Sequence, residues 1–455
     1  MSYSEIIRKQ NDFFNSNQTK DIGFRIEQLR KLKALLKSSE SVLYEAIYAD
    51  FKKSEFDTYS TELNIIYQDI EESIKKLPKW SRRKKVRTNL VNLPGRSYII
   101  SEPLGVCLVI GAWNYPYQLT LSPLVAAIAS GNTVVLKPSE VSPATSAVLA
   151  RLINASFPPE LMVVVEGGIL ETTALLDQKF DKIFFTGSSR VGKIVYRAAA
   201  KNLTPVTLEL SGKSPAIVTS NSNLKEVAKR IVWAKFLNSG QTCIAPDYVL
   251  VAESVREELL LLLKSQIIKN NYSFENGNYV QIINESNFNR LRCLIDANRI
   301  YHGGETDLQN RYIAPTLLTG VSFDDQVMES EIFGPILPVI SYSDLNDAIG
   351  KIKSGSKPLA CYIFANDKTI RNKLLNEISF GGGAVNDALM HFTNSNLPFG
   401  GVGSSGIGNY HGEAGFKTFS HFKSILNKPF WLEPNLKYPP YSNRKLAWIK
   451  RLIGK

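Results

Sequence analysis

Cys243 lies in Phe236-Leu-Asn-Ser-Gly-Gln-Thr-Cys-Ile-Ala-Pro246, among residue types that suit a reactive thiol. The approach Asn238-Ser239-Gly240-Gln241-Thr242 reads as polar and flexible, which leaves the sulfur reachable, and thiolate chemistry needs that access. A small satisfied core residue is the competing reading, since free cysteine is among the most buried residue types. Three other segments carry what a cysteine attacking a carbonyl requires. Asn114, in Gly111-Ala-Trp-Asn-Tyr-Pro116, can donate its amide N–H to a developing oxyanion, or it can cap the turn before Pro116. Glu209, in Thr207-Leu-Glu-Leu-Ser-Gly-Lys-Ser-Pro215, is an acid in apolar surroundings. Such a setting raises its pKa toward general-base duty, unless it is a buried acid paired with Lys213. Glu331, in Glu331-Ile-Phe-Gly-Pro335, is an isolated acid ahead of an aromatic and a turn, or else a helix-end carboxylate.

Two further segments suit a nucleotide. Phe185-Thr-Gly-Ser-Ser-Arg-Val-Gly192 follows a predicted strand and opens a predicted helix. Gly187 and Ser188 would then sit where free N–H groups and the helix dipole receive a pyrophosphate. The segment lacks Gly-x-Gly-x-x-Gly, so a plain strand-to-helix turn explains it equally well. Val135-Leu-Lys-Pro-Ser-Glu140 ends another strand with a cation and a carboxylate. Lys137 and Glu140 there can hold ribose hydroxyls at the carboxyl edge of a sheet, or form a surface ion pair.

The elements that must position these groups follow from length and pattern. A chain of 455 residues exceeds what one hydrophobic core supports, so two or more lobes are expected. Its 44% apolar and 21% charged residues are those of a globular protein and exclude disorder. The formal charge of +12 favours anionic partners without choosing a nucleotide, an acidic membrane or nucleic acid. Cys107, Cys243, Cys293 and Cys361 form no Cys-x-x-Cys pair, so neither a metal site nor a disulfide framework is suggested. A reducing cytoplasm is the expected setting, and residues 1–20 carry no secretory signal. Residues 103–136 lack any charge, yet Asn114, Pro116, Pro123 and Gly131 break the run. It reads as a buried strand, a turn, a helix and a second strand rather than a membrane span.

Residues 5–80 read as amphipathic helices, with Ile22, Ile26, Leu29, Leu32 and Leu36 on one face. The basic run 82–87 and the alternating segment up to Ile100 read as an exposed ribbon; no aromatics are interleaved, which argues against nucleic acid. From Gly105 the texture is α/β. Strands are expected at 106–110, 133–136, 162–166 and 182–185, and a second series at 216–218, 248–251, 335–340, 360–364 and 383–385.

Together these segments resemble the aldehyde dehydrogenase superfamily, in its class 3-like branch that includes the fatty aldehyde dehydrogenases. Gly240-Gln-Thr-Cys243, Glu209-Leu-Ser-Gly-Lys213, Glu331-Ile-Phe-Gly-Pro335, Asn114-Tyr-Pro116 and Leu397-Pro-Phe-Gly-Gly-Val-Gly-Ser-Ser-Gly406 with Tyr410-His-Gly412 carry the resemblance across nearly the whole chain. It implies an α/β fold with a Rossmann-like NAD(P)-binding domain (1–80 and 101–207) and a catalytic domain (208–415). It also implies an oligomerisation arm (81–100 and 416–430), ahead of a basic tail at 431–455. The implied activity is NAD(P)-dependent oxidation of aldehydes, of medium or long aliphatic chain or aromatic, through a thiohemiacetal and thioester on Cys243. A coenzyme A-acylating enzyme and a non-catalytic membrane-associated scaffold are the rivals; Glu209 speaks against the first, and Asn114, Glu209, Cys243 and Glu331 together against the second. The implied roles place Lys137 and Glu140 at the adenosine ribose, Gly187 and Ser188 at the pyrophosphate, Glu331 at the nicotinamide ribose and Phe399 near the nicotinamide. Tyr115, His391, Phe392 and Thr393 are candidates for the substrate channel. NAD is the expected cofactor with NADP tolerated, and a homodimer the expected assembly. Ser211 departs from the family's glycine, which puts the mobility of Glu209 in question.

The tail Arg444-Lys-Leu-Ala-Trp-Ile-Lys-Arg-Leu-Ile-Gly-Lys455 has no part in this chemistry. Leu446, Ile449 and Ile453 recur at helical spacing, Trp448 and Leu452 widen the apolar face, and five Lys or Arg residues surround it. Two readings stand: the helix docks on the protein's own body, or it lies peripherally in an anionic membrane surface.

Overall fold

Runs of four or five consecutive apolar residues have no polar face, so as strands they must be covered on both sides. In the computed structural model, which describes residues 2–453, these runs form the centres of two largely parallel sheets. The first has the spatial order Gly406–Ile407, Val206–Glu209, Lys182–Thr186, Val106–Ile110, Thr133–Lys137, Met162–Val164. Its three central strands are buried at every position. The helix Gln118–Ser130, which lacks charge and is buried on nearly all sides, lies between this sheet and the helical lead-in. The uncharged stretch is thus core, and no helix among the described residues is long and apolar enough to cross a membrane.

The second sheet runs Ile300–His302, Thr316–Leu318, Ile336–Tyr342, Tyr248–Ala252, Pro215–Val218, Ala360–Phe364, Gly382–Val385. Pro335, which has no N–H to give to a ladder, precedes its strand rather than opening it as the sequence pattern suggested. The chain leaves the first sheet after Glu209 and enters the second at Pro215. It returns at Gly406–Ile407 to pair antiparallel with Val206–Glu209, Gly406 standing opposite Glu209. Glu209 is therefore held from three directions: by parallel pairing with Thr186, by this returning strand, and by Gly187, whose N–H donates to the Glu209 carbonyl at 3.0 Å.

Two smaller parts complete the molecule. The expected ribbon is a three-stranded antiparallel sheet of Lys84–Val86, Arg96–Pro103 and Ser420–Asn427. In the lead-in, Leu29, Leu32 and Leu36 are fully buried. The fourth helix, Glu55–Thr58, passes through a π turn at Tyr59–Leu63 into Asn64–Trp80. A π turn widens the backbone spiral locally and is found disproportionately at functional sites.

Candidate active site

The segment before Cys243 is not the loose approach that its polar composition suggested. Asn238, Ser239, Gln241 and Thr242 are all buried because their side chains bond inward. Asn238 Nδ2 donates to the carbonyls of Asn114 (2.9 Å) and Gln241 (3.2 Å), and Ser239 Oγ donates to the Val280 carbonyl at 2.6 Å. Gln241 Oε1 accepts from the Ile283 N–H at 3.0 Å. Asn238, Ser239 and Gly240 have φ of 55°, 52° and 72°, a left-handed run that reverses the chain after the helix Leu224–Phe236. Gly240 is obligatory: a Cβ there would lie 2.3 Å from the Gly334 carbonyl oxygen. That contact brings the Glu331–Pro335 segment against the cysteine loop, and Trp113 packs edge-on to Phe333 with centroids 5.4 Å apart. Access to the thiol comes from the opposite side, through a cavity.

Asn114 Nδ2 donates one hydrogen to the Gln241 carbonyl at 3.1 Å, which orients the amide and leaves its second N–H available. Tyr115 and Thr242 hydroxyls are 2.7 Å apart. The expected alternative partner of Glu209 is engaged elsewhere: Lys213 pairs with Asp247 and donates to the carbonyls of Ser330 (2.9 Å) and Val327 (3.1 Å). Both Glu209 carboxyl oxygens are buried without a hydrogen-bond partner. Burial holds its pKa well above the usual carboxylate range. The Cys243 thiol is likewise raised, first by burial and then by Glu331 and Glu209, against a smaller opposing effect of its own and the Ile244 backbone N–H. Burial and the nearby Asp247 push Glu331 up to about 8, while the Ser211 hydroxyl and the ammonium groups of Lys213 and Lys235 favour its ionised form.

Cys243 lies at a cavity of about 360 Å³, a volume within the range of small-molecule sites. Tyr115, Phe392, Thr393 and Phe399 line it as well. His391 does not; it stands behind the wall, stacked on Phe399 with centroids 6.3 Å apart. Burial lowers its pKa to about 4. The sequence reading missed Phe56, Leu119, Trp233, Leu237, Met390 and Tyr410, which also line the cavity. Apart from Tyr410, which stands in the closing motif, they are apolar residues that carry no local signal in the sequence.

The nucleotide candidates gather at the carboxyl ends of the first sheet. Lys137 ends one strand, and Gly187-Ser188 follow another that lies two strand spacings away, about 10 Å, across Val106–Ile110. Ser188 caps the helix Ser189–Ala200 by accepting from the Val191 N–H at 3.4 Å. A Cβ on Gly187 would meet the Phe185 ring at 2.7 Å, so the backbone there stays bare. The Lys137 ammonium is buried and 3.5 Å from the half-exposed Glu140 carboxylate, hence not a surface pair. A helix N-terminus, though its Gly187 N–H is taken by the Glu209 carbonyl and its Val191 N–H by Ser188, together with a buried cation and a half-exposed carboxylate at the carboxyl ends of one sheet, fits a dinucleotide's pyrophosphate and ribose.

The aldehyde dehydrogenase family profile matches residues 2–425. The chain is 47% identical over 443 residues to the 4,4'-diaponeurosporen-aldehyde dehydrogenase of Staphylococcus aureus, covering 96% of each protein. It is 44% identical to a Rattus norvegicus protein named aldehyde dehydrogenase, dimeric NADP-preferring, covering 96% of this chain and 98% of that one. Staphylococcus aureus AldH, solved in a substrate-bound state, superposes with a TM-score of 0.96 at 46% identity over 98% of both chains.

A raised thiol pKa means that the thiolate is scarce at neutral pH and grows as pH rises. Alkylation of Cys243 by iodoacetamide in cofactor-free protein, followed by mass spectrometry of its peptide, should accelerate roughly tenfold from pH 7 to pH 8. The rise should be shallower above pH 8, where ionised Glu331 adds negative charge beside the sulfur. A rate constant across this range would mean the thiolate is already formed.

Proposed function

With the chain belonging to the aldehyde dehydrogenase family, and so oxidising aldehydes to carboxylic acids with NAD or NADP, we propose that Cys243 is the nucleophile, Asn114 the oxyanion donor and Glu209 the base of the hydrolytic half. One observation carries this: a buried carboxyl without a protein hydrogen-bond partner lies near enough to raise the pKa of a thiol that lines an apolar cavity. The cavity's lining supports medium or long aliphatic, or aromatic, aldehydes as substrates. The Cys243 thiolate adds to the aldehyde carbon, a C–S bond forms, and the carbonyl π pair moves to oxygen. The free N–H of the Asn114 amide and the Cys243 backbone N–H receive that charge. NAD(P)+, when bound, supplies the acceptor for the hydride that leaves the carbon, and a thioester on Cys243 remains. Water entering the site solvates Glu209 and favours its ionised form, the carboxyl proton passing through that water to solvent. The carboxylate then takes a proton from that water as its oxygen attacks the thioester carbon. The C–S bond breaks, and the acid and the thiolate are regenerated.

Residues 1–80 and 101–207 are read as the NAD(P)-binding domain and 208–415 as the catalytic domain. Lys137 and Glu140 would hold the adenosine ribose, Gly187 and Ser188 the pyrophosphate, Glu331 the nicotinamide ribose, and Phe399 would pack beside the nicotinamide. Two variants separate the halves of the reaction. Cys243→Ser should abolish aldehyde oxidation while NAD binding survives, because an alcohol is hardly ionised. Glu209→Gln should give a stoichiometric burst of NADH, without added coenzyme A, and then stall. Turnover by the serine variant, or a normal steady state in the glutamine variant, contradicts these roles.

Glu140 would repel the 2′-phosphate of NADP, whereas buried Lys137 would attract it from behind. NAD is therefore the better cofactor and NADP the tolerated one. The ratio of the two kcat/KM values measures this, and Glu140→Gln should move it toward NADP.

Residues 81–100 and 416–430 are read as an arm joining two copies, which the dimeric relative supports. The strand Ser420–Asn427 leaves Phe422 and Leu426 exposed, and Phe430 and Trp431 follow, largely bare. Beyond them the helix Asn443–Ile453 leaves Leu446, Trp448 and Leu452 about half exposed; the Ile453 side chain lies outside the described residues. Exposed apolar groups ringed by cations support a peripheral seat on an anionic membrane, at the cytoplasmic face, and two tails per dimer would strengthen a weak contact. Sedimentation with anionic liposomes should carry the full chain down at low salt and leave a version ending at Ser442 in the supernatant. Equal recovery of both in the supernatant removes the membrane from this picture.

A further inference from the structure

The lead-in helices contain a buried ion pair that the chemistry above does not use. Lys53 and Glu62 side chains are 1% and 0% exposed, and Lys53 Nζ donates to Glu62 Oε1 at 2.6 Å. The other carboxylate oxygen faces the catalytic region. Glu62 Oε2 accepts from the Tyr117 N–H at 2.8 Å and the Gln118 N–H at 3.2 Å. These are donors at the start of the helix Gln118–Ser130, which has no side-chain cap of its own. The Lys53 ammonium also lies 4.2 Å from the centre of the Tyr115 ring. Glu62 sits within the π turn Tyr59–Leu63, while its neighbours Ser60 and Thr61 line the substrate cavity.

Desolvating two charges costs about as much as their attraction returns, and apolar residues of similar volume are often at least as stabilising. A buried pair is thus weakly explained by stability alone. What this pair does is local. The segment 114–118 is held on one side by the cysteine loop, through Asn114 with Gln241 and Tyr115 with Thr242. From the N-terminal helices it is held by Glu62 on the Tyr117 and Gln118 N–H groups, and by the Tyr117 hydroxyl on the Leu43 carbonyl at 2.7 Å. We propose that Lys53 and Glu62 are positioning residues for aldehyde oxidation: a clamp from the N-terminal helices that fixes Asn114 against the sulfur.

This rests on Asn114 being the oxyanion donor, and a double-mutant cycle keeps the two ideas apart. The rate constant of the NADH burst with a medium-chain aldehyde is measured for wild type, Glu62→Gln, Asn114→Ala and both together, with burst amplitude counting the folded sites. Displacing a catalytic group by about 1 Å costs up to ~100-fold, so Glu62→Gln should slow the burst by roughly ten- to a hundredfold at each intact site. In the Asn114→Ala background it should slow it no further. A reduced amplitude with an unchanged rate constant would reveal a merely structural pair and overturn the clamp, as would multiplying effects. An Asn114→Ala burst as fast as wild type would instead defeat the oxyanion assignment. Should Glu62→Gln fail to fold, Lys53→Met enters the same cycle, where Glu62 keeps its two backbone bonds and loses the ammonium's charge and hydrogen bond, and the Tyr115 ring loses its cation.

Discussion

Glu209 is the constraint around which the rest is arranged, because a carboxyl group buried without a protein hydrogen-bond partner is among the costliest things to bury. No protein group bonds its two oxygens, yet its backbone is fixed by a parallel strand, an antiparallel strand and the Gly187 N–H. The fold therefore spends stability to keep one carboxyl buried at a fixed address. That address is shared by both sheets: the chain passes from one to the other just after Glu209 and returns beside it at Gly406. A carboxyl there can serve a thiol supplied by the second sheet's side and a cofactor lying on the first.

The same burial governs the thiol. Burial raises Cys243, and each nearby carboxyl that ionises would raise it further. Glu331, pushed up to about 8, and the Lys235 ammonium near it, lowered by burial to about 8, both titrate near neutral pH. Lys213 is held off by Asp247 and backbone carbonyls. Were it paired with Glu209 instead, the acid would be ionised permanently and the sulfur would face a fixed negative charge. Diverting that lysine is as much a part of the site as the cysteine.

Much of this was legible from residue type and spacing. The uncharged runs marked buried parallel strands, since only such strands tolerate apolar residues on both faces, and the isolated acids and Asn114 marked a site by having no local reason to be where they are. The misread features share a cause. Asn238 to Thr242 looked loose because polar composition signals solvent unless the partners are known. Those partners, Val280, Gln281, Ile283 and Asn114, are remote in sequence. The competing reading that paired Lys213 with Glu209 fails for the same reason: its partner Asp247 is thirty-four residues on. The cavity wall from Phe56 to Ile65 was illegible for a different reason. Its residues obey ordinary helical amphipathicity, and only the π turn, a backbone feature without a sequence signature, turns one face toward substrate and the other toward Tyr117.

Ser211 shows how position outweighs proximity in sequence. A serine two residues after Glu209 would be expected to hinder that acid. In the structure the strand ends at Glu209, and the Ser211 hydroxyl acts on Glu331, favouring its ionised form against burial and Asp247. Glycine has no group to do this, so Glu331 would titrate higher without Ser211. The substitution thus bears on the carboxyl read as holding the nicotinamide ribose, whose charge is also the leading electrostatic influence on the Cys243 thiol after burial. One hydroxyl thereby links cofactor binding to thiol ionisation. It does so by stabilising a negative charge that a ribose hydroxyl can bond but that a neighbouring thiolate must oppose.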